Sequence, residues 1–175
     1  SNNVNSNGGT LAITNGANAA TQNFTSTQVN AKDNFIKLDS TGGAITLGLG
    51  TNITRQVGGT LNFTGNALSG ATINSAYAPV NGIVQGATWG GTDLVAASGT
   101  ALTKYTGYTI PTGAGATIAS NTATNVKIDN TSTGNTVLGA GTTSINTLTF
   151  ADSSARTIGV GSGNTLNFGV VGQIL

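Results

Sequence analysis

The sequence predicts an all-β chain wound as a parallel β-solenoid, and three observations carry the prediction. One phrase recurs, as Gly8-Gly9-Thr10-Leu11-Ala12-Ile13-Thr14, Gly58-Gly59-Thr60-Leu61-Asn62-Phe63-Thr64 and Gly163-Asn164-Thr165-Leu166-Asn167-Phe168-Gly169. Each copy is a turn followed by a short alternating strand, and repetition of one such unit marks a stacked architecture. Asn and Thr crowd the candidate strands, where stacked side chains hydrogen-bond along a coil axis. Gly stands at nearly every corner, where a bend demands positive φ or close backbone approach.

Helix signals are almost missing. Short alternating runs bounded by Gly, Asn or Ser predict strands at about Thr10–Thr14, Phe35–Leu38, Ile45–Leu49, Gly59–Phe63 and Ala71–Asn74. Further along they fall at Thr117–Ala119, Val126–Ile128, Thr136–Leu138, Ser144–Phe150, Thr157–Val160 and Thr165–Val170. Spacing of about ten residues also suits a sandwich or barrel, but strands of those folds have no reason to repeat one another's text. The repeated units lie 50 and 105 residues apart, which fits coils of about 20–30 residues with inserted loops, about seven coils in all. The inward positions would include Leu11, Ile36, Phe63, Val137, Phe150 and Phe168.

Composition narrows the chemistry. Only 6 % of the residues are charged and the net charge is +1, against about 25 % charged residues in ordinary soluble domains. A low-complexity chain of this kind could fail to bury enough apolar surface to fold; the 37 % of hydrophobic residues, regularly spaced, argues that it does fold. The charges form no basic stripe, which speaks against a nucleic-acid partner. With no Cys and no His, the chain lacks the means for the common zinc sites, a Ser-His-Asp triad, a Cys-His pair or a disulfide frame. No cofactor and no metal site is expected. Five Asp without Glu are too few for repeated calcium cages, and Gly59 and its neighbours lack the Lys-Ser/Thr and helix of a phosphate loop. No apolar run reaches the roughly 18 residues of a membrane span, and the start, Ser1-Asn2-Asn3-Val4-Asn5, reads as a piece from the interior of a longer secreted protein. Residues 1–175 are accordingly taken as one solenoid segment whose two ends expose strand edges and favour self-association.

One interval breaks the pattern. Pro79–Pro111 holds both prolines, the single Trp and two of the three Tyr, and is read as a lateral loop or hairpin excursion. Trp89, Tyr105 and Tyr108 are the candidate ligand contacts, because an exposed aromatic ring can stack on a sugar; packing is the competing reading for Trp89. Among the charged residues, Asp33 and Asp39 could pair as catalytic carboxylates with Lys37 as a base, or form a solvated turn, and the turn is preferred. Asp93 reads as a turn residue rather than a cation ligand. The Thr-x-Thr pairs, such as Thr122/Thr124 and Thr147/Thr149, lack the fixed interval of an ice-binding face.

With these residues in view, the chain resembles the autotransporter-associated β-strand repeat proteins of bacterial surfaces. Thr54-Arg55-Gln56-Val57-Gly58-Gly59-Thr60-Leu61-Asn62-Phe63-Thr64-Gly65 is similar to that family's Arg-x-x-Gly-Gly-apolar-Asn-Phe-Thr phrase. Asn81-Gly82-Ile83-Val84, Ala87-Thr88-Trp89-Gly90-Gly91-Thr92-Asp93-Leu94, Ala101-Leu102-Thr103-Lys104-Tyr105-Thr106 and Ile145-Asn146-Thr147-Leu148-Thr149-Phe150 follow in the family's order. The likeness covers roughly Ala44 to Leu175. Trp89 stands where the family pattern has a small apolar residue, and Leu94 where it has an aromatic. The resemblance implies a right-handed parallel β-helix, exported across the outer membrane and displayed outside the cell, usually without enzymatic activity. It makes a non-catalytic display segment, or an adhesin for a glycan or cell-surface ligand, the leading expectation. A carbohydrate-active β-helix enzyme, of the polysaccharide lyase or hydrolase kind, is the alternative, since fold does not decide function.

Overall fold

A computed structural model describes residues 3–175. The chain is an all-β solenoid of about seven turns, and it divides into two compact units, one running through Lys104 and the other from Tyr105 to Leu175.

The first unit is three coils of three strands each. Coil one is β1 (Asn3–Ser6), β2 (Gly9–Asn15) and β3 (Ala20–Asn23); coil two is β4 (Ser26–Val29), β5 (Asp33–Ser40) and β6 (Ile45–Gly48); coil three is β7 (Ile53–Arg55), β8 (Thr60–Thr64) and β9 (Thr72–Asn74). Equivalent strands pair in parallel and form three walls. Leu11 pairs Ile36 and Ile36 pairs Phe63, so a coil takes 25 to 27 residues here, and the 50-residue interval of the repeated phrase is two coils less a shift of two places, which sets Leu11 in line with Phe63 and Gly9 with Leu61. Gly8 and Gly58 open equivalent turns with φ of 78° and 80°, and Gly163 opens its own with 75°. Left-handed backbone of this kind strains any residue with a Cβ, which is why the phrase begins with glycine.

Alternation sends every second side chain inward. Leu11, Ile36 and Phe63 form one inward column, Ile13 and Leu38 another, and Leu47 stacks on Ile73. Ile36, Leu38, Leu47, Phe63 and Ile73 are fully buried, each burial contributing roughly 1.5–3 kcal/mol. An unpaired buried polar group costs about 1–3 kcal/mol, and while Asn62 Oδ1, Thr136 Oγ1 and Thr149 Oγ1 are buried without a partner, two interior polar residues of this unit are well paired. Thr27, stacked between Val4 and Ile53, donates its hydroxyl to the Leu49 carbonyl at 2.9 Å. Asn34 is fully buried. It accepts from the Gly8 N–H at 2.8 Å and directs its amide at the carbonyls of Asn30, Lys32 and Thr60. One side chain thus ties the same turn across three coils.

The interval expected as an excursion is hydrogen-bonded into the sheet. β10 (Ile83–Trp89) adds in parallel to β8, β11 (Asp93–Ser98) returns antiparallel to it, and β12 (Ala101–Lys104) runs antiparallel to both β11 and β9. The strand order β2-β5-β8-β10-β11-β12-β9-β6-β3 joins two walls across the third coil. Val84, Ala87, Leu94, Val95 and Leu102 are buried there, so the meander closes one end of the first unit's core. Residues 79–104 lie in the first unit and 105–111 in the second.

The second unit stacks β13 (Thr117–Ile118), β15 (Thr136–Leu138) and β17 (Ile158–Gly159) in one parallel ladder and β14 (Asn121–Asp129), β16 (Thr142–Ala151) and β18 (Thr165–Ile174) in another. Its coils are shorter over most of their length: Thr117 pairs Val137, and Val126 pairs Leu148. Ile118, Val126, Ile128, Leu138, Ile145 and Leu148 form its core. Two expected core positions are corrected. Val137 is 38 % and Phe150 43 % exposed: in the short β15 the inward residue is Leu138, and Phe150 stays in line with the buried Ile128 but lies two places past Leu148, where the pairing with β18 stops. At the bend in the long ladder, Asn125 accepts from Asn146 Nδ2 at 2.7 Å and from the Thr147 hydroxyl at 3.0 Å. This buried amide pair satisfies polar groups where the register shifts.

Candidate functional site

Trp89 ends β10 and pairs with Phe63, its ring 6.1 Å from the Phe63 ring and tilted at 39°. It packs partly buried against the first unit's core, so the indole holds the closing meander on coil three. That position explains why the residue is aromatic without any ligand.

Tyr105 and Tyr108 belong to the second unit. Their rings meet edge to face at 4.8 Å, and Lys127 lies 5.0 Å from the centre of the Tyr108 ring, within cation–π range. The Tyr105 hydroxyl donates to the Gly107 carbonyl at 2.9 Å and accepts from Asn125 Nδ2 at 2.8 Å. Its ring is therefore fixed by both roles of its hydroxyl, and the buried Asn125 joins the pair to the bend in β14. The tyrosines form one half-exposed aromatic-cationic patch; Trp89 lies in the other unit. The two tyrosines were legible as candidates from the local aromatic density. Asn125 and Lys127 were not, because only the parallel register brings β14 beside residues 105–109.

The charged cluster of β5 resolves by distance. Asp33 and Asp39 lie six residues apart on one continuous strand, hence roughly 20 Å apart at about 3.3 Å per residue. Glycosidase carboxylates stand about 5–9.5 Å apart, so these two do not form such a pair. Asp33 accepts from the Thr60 hydroxyl at 2.8 Å, linking adjacent coils. Asp39 pairs with Lys37 at 2.7 Å and accepts from the Asn66 N–H at 3.1 Å. The Lys37 hydrogen bond, and then that of Asn66, hold its carboxyl below the ordinary Asp value. Asp93 is nearly buried in the meander and meets Lys104 of the neighbouring strand at 3.0 Å. Among the described residues no group of three or more His, Cys, Asp or Glu could hold a metal ion.

A cleft of about 380 Å³ opens at one corner of the first unit, lined by Ser40, Gly42, Gly43, Asn66, Ala67 and Ser69 among others. The Ser40 hydroxyl donates to the Gly43 carbonyl at 2.6 Å and accepts from the Gly42 N–H, while Asn66 Oδ1 accepts from the Ser40 N–H at 2.9 Å. These bonds hold two successive coils at the corner, and among the described residues no ionisable side chain lines the cleft. No family model, curated protein or solved structure matches the chain.

Proposed function

We propose that this chain is a non-catalytic structural and display segment of a bacterial secreted or cell-surface protein of the autotransporter kind, standing outside the outer membrane. The observation that carries the reading is what the carboxylates do. Each of the five Asp residues is engaged within its own unit: Asp33 by Thr60, Asp39 by Lys37 and Asn66, Asp93 by Lys104, Asp129 by Thr131, and Asp152 by Ser154 and Arg156. Three of these contacts bridge neighbouring coils or strands and two fix turns. Charge in this molecule serves cohesion of the stack, which suits a stalk that must stay folded without disulfides.

The half-exposed Tyr105–Tyr108 patch is the contact surface in an adhesive version of this role, with a neutral or acidic glycan as the ligand class that stacks on aromatic rings beside a cation. Trp89, the third candidate contact, belongs to the other unit, where it packs on Phe63, and is not part of this patch. Two measurements test the reading. Antibody against the purified chain should label intact producing cells, and loss of labelling would refute surface display. The chain incubated with plant, algal and bacterial polysaccharides should release no reducing ends and no unsaturated products; turnover of any of them would replace the scaffold with a carbohydrate-active enzyme. Replacing Tyr105 and Tyr108 by Ala separates the two versions of the scaffold, abolishing attachment in an adhesin and leaving it unchanged in a spacer.

A further inference from the structure

We propose that the outward face of β3, β6, β9 and β12 is an ice-binding surface, a ladder of threonines that docks the ordered water lattice of an ice crystal. Strand pairing sets Thr21 against Thr46 and Thr46 against Thr72. Leu102 of the antiparallel β12 pairs with Ile73, so Thr103 falls opposite Thr72. The flanking residues Ile45, Leu47, Ile73 and Leu102 are buried in the core, and alternation therefore turns all four threonines outward. Thr21, Thr72 and Thr103 are exposed and Thr46 is half-exposed. The column escapes the sequence because its members lie 25, 26 and 31 residues apart, and only the register lines them up. Thr147 and Thr149, a Thr-x-Thr pair legible in the sequence, are buried instead.

The face has the geometry of a lattice. Adjacent strands stand about 4.8 Å apart and alternate residues of one strand about 6.6 Å apart, so the threonine column repeats at one spacing and a second column lies beside it at the other. That second column is Asn23, Gly48, Asn74 and Ala101. Gly48 leaves the room in which the Asn23 amide lies, since a Cβ at Gly48 would overlap Asn23 Oδ1. Ice exposes water oxygens in rows at comparable separations, and each Thr meets such a row with a methyl and a hydroxyl together. Among the described residues none of the four hydroxyls is committed to a hydrogen bond, unlike those of Thr27 and Thr60, which bond within the stack. A β-branched side chain on a strand has few rotamers, so the array is ordered before it docks and loses little entropy in docking.

What the face lacks selects the occupant. Residues 19–24, 44–49, 70–74 and 100–103 contain no charged residue, so the wall has no group with which to hold an ionic ligand. The neighbouring wall carries Asp33, Lys37 and Asp39 on β5, which shows that charge is admitted elsewhere on the same unit. The one aromatic residue of these segments, Phe24, packs against the core. That leaves no ring for a sugar to stack on, and no aromatic or Arg anchor of the kind that holds a protein partner. A neutral partner that repeats at the strand spacing remains, and water ordered as ice is that partner. Three of the four threonines stand on β6, β9 and β12, each of which is paired on both sides within the unit.

The test is inhibition of ice recrystallisation by the 175-residue chain, with the shape of single ice crystals grown in its presence as a second readout. The parent chain should keep ice grains small and facet the crystals. Thr46→Lys with Thr72→Lys should need about tenfold or more protein for the same inhibition, because two long charged side chains hold the lattice off the face. Thr14→Lys places the same charge on the outward side of β2, beside Asp39, and should inhibit like the parent. Should the two lysines unfold the chain, as Trp89 fluorescence in urea would report, Thr46→Ser with Thr72→Ser removes only the methyls and should still weaken inhibition severalfold. A parent chain that leaves ice growth unchanged, lysine variants that inhibit as well as the parent, or a Thr14→Lys variant that loses inhibition too overturns the proposal. Retention of the chain on insoluble cellulose or chitin through Thr46 and Thr72, without any effect on ice, overturns it as well and makes the face a polysaccharide surface.

Discussion

Asn34→Ala is the sharpest test of how the first unit holds its coils together. The side chain is 0 % exposed and accepts one hydrogen bond, from the Gly8 N–H at 2.8 Å. Its two amide hydrogens are shared among the carbonyls of Lys32 at 2.7 Å, Thr60 at 3.0 Å and Asn30 at 3.1 Å. That amounts to three hydrogen bonds' worth, each contributing about 1 kcal/mol net, and more where the abandoned backbone group stays dry. The expected loss is about 3 kcal/mol, a large part of the roughly 5–15 kcal/mol of an ordinary domain. Asn34→Asp should be worse than Asn34→Ala: the carboxylate still accepts from Gly8 but sets negative charge against three carbonyl oxygens. Trp89 is the single Trp and packs on Phe63 in the same unit, so its fluorescence during urea titration follows this unit. A cost under about 1 kcal/mol for Asn34→Ala, or an Asp variant more stable than the Ala variant, would refute the reasoning that this residue pegs the turns.

Two other consequences are open to measurement. Gly50→Ala should prevent folding, since Gly50 has φ of 86° and a Cβ there would overlap the Thr25 carbonyl; Gly90→Ala, with φ of 64° but open space around it, should cost only about 1 kcal/mol in the same titration. Equal costs would show that steric closeness at the coil corner is not what demands glycine. Acidification should destabilise the fold through Asp39 and Asp152, both held below the ordinary value of 3.8: Asp39 first by its Lys37 hydrogen bond, Asp152 first by the Ser154 N–H and then by Arg156. Because the native values are lowered, this contribution is complete above the ordinary Asp value and is lost as pH falls below it through the native one. Unfolding midpoints for Asp39→Asn with Asp152→Asn should therefore fall less steeply on acidification than those of the parent chain; parallel profiles would count against it.

How much of this was legible depended on whether a strand carried its own alternation. β2, β5, β6 and β8 hold two or three apolar residues at alternate positions and are readable alone. Asn3–Ser6, Ala20–Asn23, Ser26–Val29 and Ile53–Arg55 are polar or very short. They are strands because a neighbouring coil offers each a ladder, which no local pattern reports. The meander escaped for a related reason: Ile83 and Val84 are both buried, as are Leu94 and Val95, and adjacent buried residues erase the period-2 signal of a strand covered on both faces. Of the candidate site, the tyrosines were visible as aromatic residues in a polar chain, whereas the contact of the Asn125 amide with the Tyr105 hydroxyl and the Lys127 placement required the register.

The sequence by itself determined the class of the molecule. Too little charge for an ordinary surface, glycine at the corners and one repeated strand phrase leave a stacked β architecture as the way to bury the apolar positions and pair the backbone, and those are local properties of composition and spacing. The tertiary structure decided what residues 83–104 do, which of two adjacent residues faces inward at Val137 and Leu138, and that Asn34 belongs to three coils at once. These outcomes depend on pairing between residues 20 or more positions apart, where a shift of one place turns every side chain to the other face, and only the assembled ladder fixes that register.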